Sequence, residues 1–338
     1  MRSVVTGGAG FIGSHLVEHL LEAGDEVVVL DDLSTGRIEN LDAVSGAERL
    51  VVRIGDVLEE DDVHRAVEGA DRVFHLAAAV GVRLIVEDPL RSMRVNIRGT
   101  EHVLDACVRH DARLLLVSTS EVYGKNTADR LSEDADRVLG SSLLSRWSYA
   151  AAKGIDEAFA HAYWRQFGLP VSIVRLFNTV GPRQVGRYGM VVPTLVRQAL
   201  TDAPLTVFGD GRQTRCFSSV HDIVPAIVRI QEQSSSLGRA FNLGGAHEIS
   251  ILDLAHRIVE LTGSRSEIAL VPYRQAYPDG FEDMRRRVPD NTAAAALVGF
   301  APTTGIDEII LGLADDAAAP LRVEDAMPRT AARPVTVK

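Results

Sequence analysis

The strongest constraint on this chain lies in its first thirteen residues. Thr6-Gly7-Gly8-Ala9-Gly10-Phe11-Ile12-Gly13 follows a short apolar strand and opens a helical pattern. Gly8, Gly10 and Gly13 satisfy G-x-G-x-x-G, and Gly7, Gly10 and Gly13 satisfy the wider G-x-x-G-x-x-G. Glycines at this spacing let the backbone turn tightly and approach a pyrophosphate, whose charge rests at the helix N-terminus. An ordinary tight turn is the competing reading, and the strand–turn–helix context argues against it. The backbone of Gly7, Gly10, Phe11, Ile12 and Gly13 is therefore the expected phosphate cradle.

The chain continues as such a loop requires. A second apolar run, Glu26-Val27-Val28-Val29-Leu30-Asp31, ends in an acid about twenty residues on. Asp31, with Asp32 beside it, is expected to accept hydrogen bonds from adenosine ribose hydroxyls and to repel a 2′-phosphate, which favours NAD over NADP. The alternative is that these acids only begin a loop. Asp56, in Gly55-Asp56-Val57, is placed to bond the adenine amino group, although Asp in a strand-to-helix turn is also a common cap. Apolar runs predict strands over 3–6, 26–31, 50–54, 72–76, 113–118 and 171–176, with helices over 11–22, 61–68, 90–109 and 148–167. Continuous apolar strands alternating with helices predict a doubly wound parallel sheet covered on both faces. Beyond residue 181 the elements shorten and Gly/Pro turns multiply. The expected organisation is a dinucleotide-binding domain over 1–180, a smaller α/β substrate-binding lobe over 181–314 with some segments returning to the first domain, and a mobile tail over 315–338.

Composition narrows the partners. A net charge of -10 argues against nucleic acid, which demands a basic footprint. The two cysteines, Cys107 and Cys216, lack metal-ligand spacing and read as buried thiols, so no metal is expected. No leader or membrane-length apolar run is visible, and the expected location is cytoplasmic.

The chemistry is carried by Tyr149-Ala150-Ala151-Ala152-Lys153. Four-residue spacing puts Tyr149 and Lys153 on one helix face, where an ammonium favours the phenolate and lowers the tyrosine pKa. The strand end Ser118-Thr119-Ser120-Glu121 precedes this helix, and Thr119 is placed to share a substrate hydroxyl with Tyr149. A solvated helix face would account for Lys153 alone but not for the set.

With these residues in place, the sequence resembles the extended short-chain dehydrogenases/reductases that act on nucleotide sugars: epimerases, dehydratases and decarboxylases. The match runs from residue 4 to about residue 305. It rests on Thr6 to Gly13, Asp31, His75-Leu76-Ala77-Ala78, Asn96, Thr119, Tyr149 with Lys153, Phe177-Asn178, Gly181-Pro182-Arg183 and Arg215. The resemblance implies a Rossmann sheet, a homodimer, and NAD contacts from Val57, Leu76, Ala77, Ala78, Asn96 and Ser118 besides Tyr149 and Lys153. It implies that Thr119, Ser120, Glu121 and Tyr149 meet the sugar. Asn178, Val191, Thr206, Phe208, Arg215, Asp283 and Arg287 would meet the nucleotide, with Phe208 stacking on uracil. A non-catalytic dinucleotide sensor on the same fold would not need Tyr149 and Lys153.

The shared first step in such relatives is oxidation of the sugar at C4. Dehydratases for dTDP-glucose carry Thr-Asp-Glu where this chain has Thr119-Ser120-Glu121, so the acid that expels the C6 hydroxyl is missing. UDP-glucuronate decarboxylases carry Thr-Ser-Glu. Residues 181–191, 145–149 and 282–284 instead resemble a bacterial epimerase branch that includes UDP-glucuronate 4-epimerases. There Arg187 would clamp the C6 carboxylate bidentately. The first expectation is thus an NAD-dependent 4-epimerase interconverting UDP-glucuronate and UDP-galacturonate. A UDP-glucuronate decarboxylase or a UDP-glucose 4-epimerase is the alternative.

Overall fold

The computed structural model describes residues 1–80, 88–186, 190–276, 282 and 284–318. The first half is β1 (Arg2–Thr6), α1 (Phe11–Glu22), β2 (Glu26–Asp31), β3 (Leu50–Ile54), α2 (Glu60–Val67), β4 (Arg72–His75), α3 (Pro89–His110), β5 (Arg113–Thr119), α4 (Ser148–Phe167) and β6 (Val171–Leu176). The second half is β7 (Thr179–Val180), α5 (Val191–Leu200), β8 (Leu205–Phe208), β9 (Thr214–Cys216), β10 (Ser218–Ser219), α6 (Val220–Glu232), β11 (Ala240–Leu243), β12 (Glu248–Ser250), α7 (Ile251–Thr262), β13 (Ile268–Val271), α8 (Tyr273–Ala276), β14 (Arg286–Arg287), α9 (Thr292–Val298) and α10 (Ile306–Ala318). Local chemistry sets the ends of the helices. Asp88 accepts a hydrogen bond from Arg91 N ahead of Pro89, Ser250 accepts one from Asp253 N, and α4 stops at Gly168 in the left-handed region.

A seven-stranded sheet in the order β11-β6-β5-β4-β1-β2-β3 forms the centre, and every pairing in it is parallel. The order reverses between β1 and β4, which opens a crevice at the carboxyl ends of the strands. Alternate strand residues face opposite cores, as a two-residue period requires. Val5, Val27, Val29, Phe74 and Leu115 meet α1 and α6 on one face. Val4, Val28, Leu30, Val73, Leu114 and Leu116 meet α2, α3 and α4 on the other. A third core gathers α5, α7 and α10 around Leu195, Leu205, Val207, Leu254 and Ile310. No described helix is long and apolar enough to cross a membrane.

Three sequence expectations change. The fourth strand ends at His75, one residue early, because Leu76 N already bonds Thr6 O at the head of the crevice. A seventh strand, β11, returns from the second half to pair with β6. Residues 315–318, expected to begin a tail, continue α10, whose Leu313 and Ile310 are buried in the third core.

Asn242 fixes β11 in place. Its Nδ2 donates to Leu131 O at 2.8 Å and Asp290 O at 3.3 Å, and its Oδ1 accepts from Tyr123 Oη at 2.7 Å. The side chain is wholly buried. Asn242→Ala would strand several buried polar groups, and is expected to cost on the order of 3 kcal/mol in urea unfolding.

Candidate active site

The phosphate loop closes on itself so tightly that side chains are excluded. Gly7 has φ +73, and a Cβ there would lie 2.8 Å from Ala77 N, while a Cβ on Gly13 would fall on the Gly7 carbonyl oxygen. The first N–H groups of α1 have no partner within the helix and point out of this cradle, so a pyrophosphate fits it. Asp31 lies beside the loop, where its Oδ2 accepts from Ala9 N and its Oδ1 from Leu33 N, each at 2.9 Å. Burial pushes its carboxyl above the usual range, against the pull of those N–H groups. Asp31 therefore braces the loop. Asp32 is engaged by Ser34 and Arg91, and Asp56 accepts from Leu58 N in a turn ahead of α2, whose N-cap is Glu59.

The other expected cofactor residues frame the same crevice. Leu76, Ala77 and Ala78 run half-buried past Gly7, and Ala77 N donates to Thr6 Oγ1 at 3.2 Å. Val57 is buried against Gly99 of α3. Phe11 and Ile12 pack on the first core, so only their backbone serves the cradle. Asn96 spends its amide on Ala79, donating to its carbonyl and accepting from its N–H, and so shapes the crevice wall. Ser118 Oγ donates to Glu157 at 2.5 Å, and Glu157 is paired bidentately with Arg175.

Tyr149 and Lys153 rise from the first turns of α4, both buried. Thr119, at the end of β5, hydrogen-bonds the Tyr149 phenol. The expected lowering of the phenol by Lys153 is not what the structure gives. Burial first, then the charges of Glu121 and Asp156, hold Tyr149 well above its ordinary value. The Lys153 ammonium itself lies 2.9 Å from Asp156.

Glu121 occupies the turn after β5 and is clamped from two sides. Arg146 Nη1 reaches its Oε2 at 2.6 Å and Arg287 Nη1 its Oε1 at 2.5 Å. The two guanidiniums outweigh desolvation and push the carboxyl down to about 2. Arg287 also donates to Asn178 Oδ1 at 2.9 Å, and its buried Nε has no partner among the described residues. Asn178 itself holds a left-handed backbone, φ +32, and donates to Cys216 O. Arg215, buried on β9, lies in register with Arg287 of β14. Ser120 is buried between Thr119 and Glu121.

Farther out, Thr206 exchanges hydrogen bonds with Gln198 of α5, so its polar groups are held by the protein. Val191 packs on the third core. Phe208 closes β8 at the mouth of a cleft lined by Gly209, Asp210, Gln213, Tyr273, Met284 and Arg285. Arg187 and Asp283 lie outside the described residues. The reading of the sequence missed Arg146, Asp156 and Tyr273. The first two were visible as charges three residues before Tyr149 and three after Lys153, which puts each near the pair on or just ahead of one helix. Tyr273 had no such signal, for only folding brings its ring against Gly209.

Glu121 gives this site a pH signature. A depressed carboxyl adds stability in full above its unfolded value near 4.5, and that stability is lost as pH falls through about 2. Urea melts of the parent protein between these limits should lose about 3 kcal/mol that Glu121→Gln never has. Parallel pH dependence in the two proteins would refute the clamp.

Comparison with known proteins agrees with this arrangement. A family model described as GDP-mannose 4,6 dehydratase matches residues 4–312. The chain is 39% identical over 308 residues to a UDP-N-acetyl-alpha-D-glucosaminuronate decarboxylase of Bacillus cytotoxicus, covering 91% of this chain and 94% of that protein. It is 36% identical over 307 residues to UDP-glucuronic acid decarboxylase 1 of Xenopus tropicalis, covering 91% and 70%. The crystal structure of UDP-glucuronic acid 4-epimerase from Bacillus cereus, in complex with UDP-glucuronic acid and NAD, matches with a TM-score of 0.84 at 29% identity, covering 94% of this chain and 98% of that one. The chain belongs to the GDP-mannose 4,6 dehydratase-type family of extended short-chain dehydrogenases/reductases.

Proposed function

We propose that this enzyme oxidises a UDP-linked hexuronate at C4 with NAD and lets the 4-keto sugar lose its C6 carboxyl as carbon dioxide. The observation that carries this is Glu121, ionised between Arg146 and Arg287 beside Thr119 and Tyr149. Removing a C6 hydroxyl needs an acid. Ser120 is not one, and Glu121 has no proton to give near neutral pH. Loss of carbon dioxide needs no acid at C6, because a C4 ketone makes the sugar a β-keto acid. The relatives of known sequence at 39% and 36% identity, both decarboxylases by name, support the same outcome.

NAD, held by the Gly7–Gly13 backbone and Asp31, supplies a reversible acceptor for the C4 hydride and a cationic ring that favours the phenolate. Tyr149 takes the proton of the C4 hydroxyl, with Thr119 bonding the same oxygen. The C5–C6 bond then breaks, its electron pair forms the enolate, and C5 takes up a proton from solvent water. Tyr149 returns a proton to O4 as the ketone is reduced, so the products are a UDP-pentose and carbon dioxide. Asn178, Arg215 and the free Nε of Arg287 bind diphosphate or carboxylate oxygens, and Phe208 with Tyr273 brackets the uracil. We further propose a homodimer through α3 and α4, whose Leu90, Met93 and Ile155 are exposed apolar side chains; gel filtration with light scattering tests it.

Epimerisation at C4 is the second reading, favoured by the likeness to the Bacillus cereus epimerase. Decarboxylation is preferred on the ionised Glu121 and on the two relatives named above. Incubation with UDP-glucuronate and with UDP-N-acetylglucosaminuronate should release carbon dioxide and the corresponding UDP-pentose. UDP-galacturonate as the product would replace the proposal by epimerisation, and two unchanged substrates would refute both. Tyr149→Phe should lower turnover by at least about a hundredfold.

A further inference from the structure

We propose that Asp156 is a positioning residue for the catalytic pair, anchoring the Lys153 ammonium from within α4 and cancelling its charge. This rests on the reading of Tyr149 as the base. Lys153 and Asp156 are three residues apart on α4 and almost wholly buried, with Nζ 2.9 Å from Oδ2. No well-directed hydrogen bond from the described residues reaches either carboxylate oxygen, so charge dominates the contact. An uncompensated carboxylate at this depth would cost several kcal/mol, and Lys153 is its countercharge.

The pair is connected to the cofactor loop. Thr100 of α3 faces the Asp156 carboxylate, and its hydroxyl lies 3.1 Å from His75 Nε2. His75 Nδ1 lies 2.7 Å from Thr6 Oγ1, which accepts from Ala77 N. His75 is neutral, since burial first and Lys153 second hold it down to about 3. One assignment fits these distances: Thr6 donates to Nδ1 and Nε2–H donates to Thr100, whose hydroxyl proton is then free to face Asp156. Burial raises the Asp156 carboxyl above its ordinary range, and Lys153 and then Thr100 oppose it.

The consequence falls on Tyr149. A lone ammonium would draw its phenol toward ionisation, whereas a neutral Lys153–Asp156 pair does not. The other groups facing the pair do not change this. Glu157 is spent on Arg175 and Ser118, Glu121 is held by Arg146 and Arg287, and Thr100 and His75 are uncharged.

The test has two arms. In the first, kcat/KM for a UDP-hexuronate is followed against pH. Asp156→Asn is expected to move the acidic limb to lower pH by about one unit, because removing a negative charge eases phenolate formation. Asp156→Glu, which keeps the charge, leaves the limb in place. A limb unmoved by Asp156→Asn, or moved equally by Asp156→Glu, overturns the proposal. The second arm uses the Tm of the unliganded protein and needs no turnover. Lys153→Met strands the carboxylate and should lower Tm by several degrees, and adding Asp156→Asn should restore most of the loss. A double variant no more stable than Lys153→Met overturns the proposal. If the parent protein turns over no UDP-hexuronate, the functional reading fails while this arm still decides the role of Asp156.

Discussion

The charge on Glu121 organises more of this molecule than any other. It draws together three stretches distant in sequence: the turn after β5, the lead into α4 and strand β14. Arg146 and Arg287 are both buried, and without the carboxylate they would repel each other in a medium that screens poorly. Breaking such a pair is far costlier than never burying it, because the partner is left as an unmatched charge. Arg287 carries the constraint onward to Asn178, and through β9 to Arg215. The second half of the chain is thus registered against the catalytic turn by these charges together with a small apolar cluster in which Val122 and Tyr123 of the turn pack on Leu131 and Phe177.

Two buried carboxylates, Glu121 and Asp156, stand near Tyr149, and each is matched by cations of its own. This explains how a base can sit deep in the protein without being ionised there. Burial and the two anions keep the phenol protonated in the unliganded protein. A reactive phenolate is then confined to the complex, where added positive charge overcomes the bias. The same matching keeps the crevice from becoming a general anion trap, although several arginines border it.

The first half of the fold was readable because most of its strands are continuous apolar runs and its helices are separated from them by glycine, acid and proline signals such as Gly24, Asp88-Pro89 and Gly168. β2, β3, β6, α1 and α4 fall on their expected residues. β11 was not readable, because a four-residue strand containing a buried Asn lacks an apolar period, and Asn242 earns its place through bonds to Leu131, Asp290 and Tyr123. That Thr119 and Tyr149 would come together was legible from the sequence, and so was the shared helix face of Tyr149 and Lys153, but their electrostatics were not. Asp156 read as one more charge on a helix, and burial of its partner Lys153 is a property of how α3 packs on α4. Thr206 was expected to face a ligand, yet Gln198 already engages it, a contact that depends on α5 lying against β8.

On the proposed reading, Tyr149 and Lys153 serve oxidation at C4 and leave the fate of the ketone to their surroundings. What distinguishes those surroundings is the withholding of protons. Ser120 stands where an acid would expel a C6 hydroxyl, and Glu121 is locked in its anionic form by two guanidiniums. His75 and Asp156, the nearest remaining titratable groups, are committed to each other through Thr100. On the same reading, a site whose described residues offer no free acid beside Thr119 and Tyr149 gives dehydration no help. It can only tolerate reactions in which C6 departs or stays without being protonated. For a hexuronate, the departure of carbon dioxide is the step that such a site leaves unopposed.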